Sequence, residues 1–309
     1  MTSSAGARNA RSTGGLEMTG EGRVAVVTGA SSGVGQAAAR ELAARGWHVI
    51  AMGRDAGRTA AAVADIRAAA AADARVDAIR GDLALLSDTA RMADEIAALT
   101  DRVHVLINNA GGVRAERVIT AEGNEATFAG NHLGHFLLTH RLMPRLRAAA
   151  ATAAPGTVRV VSVSSNAHES SSGIDWGDLQ QTREWSSGKS YVLAKLCNVL
   201  FTRELARRAA ADGIVALVMH PGVVASNFSS HAEPRMRSYL ATLKAHSPED
   251  AADTVVWLAT APEAGSMSGG YFQNRQLLEP SRTAQDDAAA AKLWTESEAL
   301  VARAGANLS

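Results

Sequence analysis

One cysteine, Cys197, stands among 309 residues, so no intrachain disulfide can brace the chain, and the composition suits a reducing compartment, the cytoplasm. Neither sign of charge dominates: 31 basic residues balance 31 acidic ones, and no clustered basic face suggests a nucleic-acid partner. No apolar run approaches the roughly 20 residues of a membrane span. No Cys/His cluster has the spacing of a zinc site, so no metal is expected. The stretch before Gly22 lacks both hydrophobic periodicity and the apolar segment of a secretory signal. It reads as a disordered tail over residues 1–21, with Met18 as an alternative start; its Arg and Ser content also fits a transit peptide. Hydrophobic residues make up 47% of the chain, enough for one large α/β domain or two small ones.

The chain is organised around Val24-Ala25-Val26-Val27-Thr28-Gly29-Ala30-Ser31-Ser32-Gly33-Val34-Gly35. A β-branched run breaks into a Gly/Ser turn and then an Ala-rich helix over Gln36–Arg45, the opening of a dinucleotide-binding βαβ unit. Gly29 suits the tight turn, Gly33 a close approach to pyrophosphate, and Gly35 close packing of helix on strand. A glycine turn of this kind also serves as a plain strand–helix connection. Further strands are expected at Trp47–Met52, Arg75–Ile79, Val103–Ile107, Val158–Val163, Ile214–Met219 and Gly270–Phe272. Helices are expected between them: Ala56–Ala72, one N-capped by Ser87 and ending at Leu99, Glu122–Ala149 bent near Pro144, Tyr191–Ala211 and Pro248–Thr260. This alternation predicts a single doubly wound α/β domain, a parallel sheet with helices on both faces, over residues 22–280, followed by a helical extension over 281–309. Its ligand crevice should lie beyond the carboxyl ends of the strands, where the motifs at Gly29, Asp82, Asn108, Ser165 and Pro221 fall.

Tyr191 and Lys195, four residues apart on one helix, share a face. An ammonium beside a phenol favours the phenolate and turns it into a usable acid/base. Taken alone, the pair is better read as a solvated surface Tyr and Lys on an amphipathic helix, since this spacing is common by chance. His132 and His135 also share a face, but without a third ligand they read as packing or interface residues. Cys197 reads as a small buried side chain.

Taken in order, Thr28 to Gly35, Asn108-Asn109-Ala110-Gly111, Ser164-Ser165, Tyr191-x-x-x-Lys195 and Pro221-Gly222 resemble the short-chain dehydrogenases/reductases, which have a Rossmann fold. Asn131-His132-Leu133-Gly134-His135-Phe136-Leu137-Leu138-Thr139 and Ser164-Ser165-Asn166-Ala167-His168 resemble the retinol dehydrogenase-like branch. So do the 26 positions from Ser165 to Tyr191 and the Tyr271-Phe272 segment with its trailing helix. The resemblance implies a nicotinamide-dependent oxidoreductase acting on a carbonyl or alcohol. Tyr191 is then the proton donor or base, Lys195 a ribose ligand that lowers the Tyr191 pKa, and Ser165 a hydrogen-bonding partner of the substrate oxygen, with Ser164 as the competing serine. Asn131 is expected to hold a water in a relay, or else to be a helix-interior residue bonded to backbone.

The same resemblance places the cofactor against Thr28, Gly29, Ser31, Ser32, Gly33, Val34 and Gly35, with Asp82 and Leu83 at the adenine. Asn108 and Ala110 line the adenosine side, Gly111 is a further cofactor contact, and Asn109 either touches the cofactor or braces the strands. Pro221, Gly222, Val224 and Ser226 approach the carboxamide. Gly53 stands where NAD-selective relatives carry an acid and Arg54 follows it, so NADP is favoured with NAD as the alternative; Asp55 is the residue that would neutralise Arg54. Phe228, Met236, Tyr239 and Leu240, in the segment expected to cover the pocket, suggest an apolar or aromatic small-molecule substrate, although they fit packing equally well. A non-redox step on the same fold, and cofactor binding without turnover, are the competing functions. A homodimer or homotetramer built on the helices near Asn131 and Tyr191 is the expected assembly.

Overall fold

The structure is a computed structural model that describes residues 18, 20, 22–225, 233, 234, 238 and 242–308. Ser226, Phe228, Met236, Tyr239 and Leu240 lie outside the described residues, as does most of the tail expected over 1–21. Of that tail, the Met18 N–H donates to the Thr260 carbonyl and the Gly20 N–H to the Arg45 carbonyl.

Among the described residues eight strands form one sheet in the order β3-β2-β1-β4-β5-β6-β7-β8. They are β1 Val24–Val27, β2 His48–Gly53, β3 Val76–Arg80, β4 Val105–Asn108, β5 Arg159–Val163, β6 Val215–Met219, β7 Tyr271–Gln273 and β8 Gln276–Leu278. All neighbours pair parallel except β7 and β8. Strands β1, β4, β5 and β6 are buried along their whole length, as a sheet covered on both faces requires. One face packs Leu42, Trp47, Ile66, Leu258 and Phe272; the other packs Phe128, Phe136, Leu196 and Phe201. The order reverses between β1 and β4, which opens a crevice at their carboxyl ends.

Among the described residues the α-helices are α1 Gly33–Ala44, α2 Ala56–Ala69, α3 Leu86–Leu99, α4 Ala126–Phe128, α5 Gly134–Ala150, α6 Ser187–Arg208, α7 Pro248–Thr260 and α8 Asp287–Arg303. Several differ from the sequence expectation for physical reasons. Helix α3 starts before Ser87, which is not its cap: the Glu122 carboxylate, from a distant loop, accepts the Leu86 N–H (2.6 Å) and the Ser87 N–H (2.8 Å). The helix expected from Glu122 begins only at Ala126, and it runs through Pro144. Its irregularity falls earlier, in the π-helical segment Ala129–Leu133 that joins α4 to α5. Helix α6 starts at Ser187, where Ser186 caps the Lys189 N–H, so Tyr191 lies inside the helix and not at its start.

Strand β8 was not expected. It returns through a two-residue turn in which Asn274 (φ 50°) and Arg275 (φ 61°) are both left-handed. The Arg275 N–H donates to Thr254 Oγ1 and its guanidinium pairs with Asp253, contacts that offset the strain of a non-glycine residue there.

Helix α8 lies across α5 and α6. Trp294 stacks on Phe201 (ring centroids 5.8 Å apart) and meets Phe136 edge-on at 5.0 Å, while Asp287 pairs with Arg203 at 2.8 Å. The helical extension therefore covers part of the face on which self-association was expected.

Candidate active site

A cavity of about 980 Å³ opens at the carboxyl ends of β1, β4, β5 and β6. Gly29, Ser31, Ser32, Gly33 and Val34 form one wall. Gly29 has φ +68°, and a Cβ there would meet the Ala110 Cα at 2.9 Å, so only glycine turns this close to the loop after β4. Helix α1 begins at Gly33 and no side chain caps it. Its first-turn N–H groups and positive dipole end face the cavity, a fit for the pyrophosphate of a dinucleotide.

Arg54, Asp82, Leu83, Asn109, Ala110 and Gly111 continue the wall. Arg54 does not meet Asp55, whose carboxylate caps α2 by accepting the Arg58 N–H; it lies 3.5 Å from Asp82 instead. Asp82 Oδ1 also accepts the Ala84 N–H at 3.0 Å, so the acid shapes its own turn as well as facing the cavity. Arg58 lines the cavity beside Arg54, and the sequence reading missed it. Its only signal was a second basic residue one helical turn after Arg54.

Four expected cofactor contacts stand behind the wall and not in it. Asn108 is buried and donates to Thr139 Oγ1, because its side chain turns into the core. Thr28 is fully buried; its Oγ1 accepts the Asn109 and Ala110 N–H groups and lies 2.9 Å from His135 Nε2, which ties β1 to the loop after β4. Gly35 packs against Asn109 and the Gly29 carbonyl. Lys195 is buried too, its Nζ donating to the Val163 carbonyl at 3.2 Å. Asn109 faces the cavity and also braces the turn, Nδ2 donating to the Thr28 carbonyl at 2.8 Å.

At the other end, Ser165, Tyr191, Pro221, Gly222 and Val224 line the same cavity. A hydrogen bond joins the Ser165 and Tyr191 side chains. The competing Ser164 is buried and donates to the Lys195 carbonyl at 2.8 Å, a structural bond that leaves Ser165 as the serine paired with the phenol. Lys195 Nζ lies 5.5 Å from the Tyr191 ring centre. Burial pushes the Tyr191 phenol up to about 12, a rise that the Ser165 hydrogen bond only partly offsets, and burial brings Lys195 down to about 8. In the chain by itself burial sets the direction of the Tyr191 shift, which is upward, and Lys195 is not among its causes.

Asn131 sits in the π-helical segment. Its Nδ2 donates to the carbonyls of Gly112 (2.9 Å) and Thr127 (2.8 Å), and its Oδ1 accepts the Gly112 N–H at 3.2 Å. These are the backbone bonds expected of the side chain in one of its two roles. A Cβ on Gly111 would lie 2.5 Å from Asn131 Oδ1 and 3.2 Å from Lys195 Nζ, so both side chains close over that glycine. His132 is packed among Phe128, Phe136 and Phe201 and bonds to Ser297 Oγ at 2.9 Å, while His135 bridges Thr28 and the Asn131 carbonyl. Cys197 is buried, and burial pushes its thiol up.

The arrangement can hold a dinucleotide at one end and offer a hydroxyl–phenol pair to a substrate oxygen at the other. Relatives share it. Human retinol dehydrogenase 13 is 38% identical, with 91% of this chain and 85% of that protein aligned. Mouse polyprenol dehydrogenase is 37% identical over 92% and 85%. Among solved structures, an uncharacterised Mycobacterium Paratuberculosis protein is 32% identical with a TM-score of 0.70, covering 95% of this chain and 100% of that one. The Pseudomonas aeruginosa RhlG/NADP active-site complex is 26% identical with a TM-score of 0.65, covering 81% and 94%. The sequence pattern of the short chain dehydrogenases matches residues 23–237, and the chain belongs to that family as an NAD(P)-dependent oxidoreductase.

Proposed function

We propose that the chain prefers NADP(H) and interconverts an apolar alcohol and its carbonyl form. The observation that carries the reaction is the Ser165–Tyr191 hydrogen bond on the cavity wall, with Lys195 buried behind it. When bound, the nicotinamide supplies or takes the hydride. The glycine turn and the α1 N-terminus would hold its pyrophosphate, and Val224 and Pro221 would border the nicotinamide. Ser165 and Tyr191 orient the substrate oxygen between two hydroxyls. Tyr191 gives that oxygen a proton in reduction and takes one in oxidation. The high phenol pKa keeps Tyr191 protonated at neutral pH, the form that reduction requires; for oxidation the phenol must first give up that proton. Asn131 clamps the Gly112 loop beneath the site, and Lys195 closes its floor.

Support for NADP comes from β2. A Cβ on Gly53 would collide with Thr59 Oγ1, so an acidic side chain has no room at that position, and Arg54 and Arg58 face the cavity in its place. Support for an apolar substrate comes from two relatives, named for retinol and polyprenol, and from Val192, Val223 and Leu243 on the wall. A non-redox step is not favoured, since these relatives are named as dehydrogenases. Following absorbance at 340 nm with a panel of apolar aldehydes and ketones tests the proposal. A higher kcat/KM with NADPH than with NADH is expected; the reverse order would refute the cofactor preference, and no oxidation of either cofactor would refute the reaction.

A further inference from the structure

Glu125 is a fully buried acid at the N-cap of α4, outside the cavity and unused by the chemistry above. Its carboxylate faces three donors from three segments. Oε2 accepts the Phe128 N–H of α4 and the Ser190 hydroxyl of α6, both at 2.8 Å. Oε1 accepts the Trp185 indole N–H, from the loop before α6, at 3.2 Å. Its own N–H donates to Gln180 Oε1 at 2.6 Å, and Gln180 Nε2 donates in turn to Asn124 Oδ1 at 3.1 Å. The acid therefore joins the start of the helix that leads to Asn131, the turn of α6 just before Tyr191, and the long connection returning from Ser165.

A carboxylate is costly to bury, and the cost is met only when its oxygens are fully hydrogen-bonded. Here all three donors need an acceptor-only group. A glutamine has one acceptor oxygen and would turn its NH₂ towards at least one of them. An apolar side chain would leave three donors bare. The charge is thus specific to this junction, and Ser190 is the neighbour in sequence of Tyr191.

We propose that Glu125 is a positioning residue that holds the first turns of α6 so that the Tyr191 phenol meets Ser165 above Asn131. This rests on the assignment of Tyr191 as the proton-transfer group. In Glu125→Gln we expect amide exchange over residues 187–191 to rise and kcat to fall about tenfold or more, as for a misplaced reacting group, with NADPH affinity and substrate KM within about twofold of wild type. Adding Trp185→Phe removes the N–H that meets the new amide, so the double variant should return to within about threefold of the kcat of Trp185→Phe alone. Unchanged exchange and kcat in Glu125→Gln would overturn the proposal. So would a loss shared equally by NADPH affinity and kcat and not recovered in the double variant, which marks a mere prop of the fold. Should Glu125→Gln fail to fold, Ser190→Ala, which cuts only the link into α6, is read the same way: faster exchange with lower kcat supports the proposal, and wild-type values overturn it. Absence of turnover in the wild-type enzyme would defeat the functional reading alone, because the exchange measurement still decides the positioning.

Discussion

Tyr191 is half-buried on the cavity wall and Lys195 is buried behind it, with Nζ 5.5 Å from the centre of the phenol ring. With the phenol pushed up to about 12, the neutral hydroxyl is the resting form, and its loss should be felt in proton transfer rather than in binding. Tyr191→Phe is expected to lower kcat by about 10²–10⁴, the range for removing a general acid, while NADPH still binds by fluorescence titration. A variant that keeps most of its turnover would remove Tyr191 from the mechanism. At the far end of the cavity, Arg54 is half exposed and lies only at the edge of hydrogen-bonding distance from Asp82, so its guanidinium is available to a 2′-phosphate. Arg54→Ala should weaken NADPH binding by about 1–2 kcal/mol, the low side for a bond to a charged group because water competes at this site. NADH binding should hardly change, and equal losses for both cofactors by calorimetry would show that Arg54 does not read the phosphate.

Elements whose signals are local were legible in the sequence. Pro248–Thr260 was bounded correctly because Ser247 caps it and Pro248 opens it, and the Val-rich strands stood out because they are buried on both faces. Elements set by distant partners were not. Ser87 was the expected cap of α3, yet Glu122 caps that helix from a loop some 35 positions away in sequence. Glu122→Ala should therefore cost about 0.5–2 kcal/mol in urea unfolding, the usual cost of a lost cap, and Ser87→Ala should be nearly neutral; the opposite ranking would restore the sequence expectation. Strand β8 escaped notice because its turn reads Asn274-Arg275 and lacks the glycine that marks such hairpins. The site divides in the same way. Its motif residues converge on one cavity, whereas Thr28, Asn108 and Lys195 could be assigned to cofactor contact or to bracing only once their burial was known. Glu125 has no motif at all, since its carboxylate meets one near neighbour, the Phe128 N–H, and otherwise Trp185 and Ser190, 60 and 65 positions away.

The whole molecule carries several histidines that folding makes hard to charge. Burial takes His132 from 6.5 down to about 3, His135 to about 4 and His104 to about 4, and it also lowers His140 and His220. In the unfolded chain these rings return to the ordinary value near 6.5. Between pH 6.5 and about 4 the unfolded chain therefore binds protons that the folded chain refuses, so stability falls as the pH falls. The carboxylates held low in the fold, such as Asp88 and Asp178, titrate from 3.8 downwards and add their loss only at the acid end of this window. The histidines thus dominate the decline from near-neutral pH, at about 1.4 kcal/mol per pH unit for each ring that stays neutral in the fold. His132 isolates the effect, since it sits in an apolar cluster of Phe128, Phe136 and Phe201 away from the cavity wall. His132→Leu removes the titrating ring and keeps an apolar side chain of similar bulk, at the cost of the bond to Ser297. Urea unfolding at a series of pH values should then give a slope between pH 6 and pH 4 that is shallower by about one proton than that of the wild type. An unchanged slope would show that His132 takes up its proton in the folded state, and that the acid sensitivity of the molecule lies elsewhere.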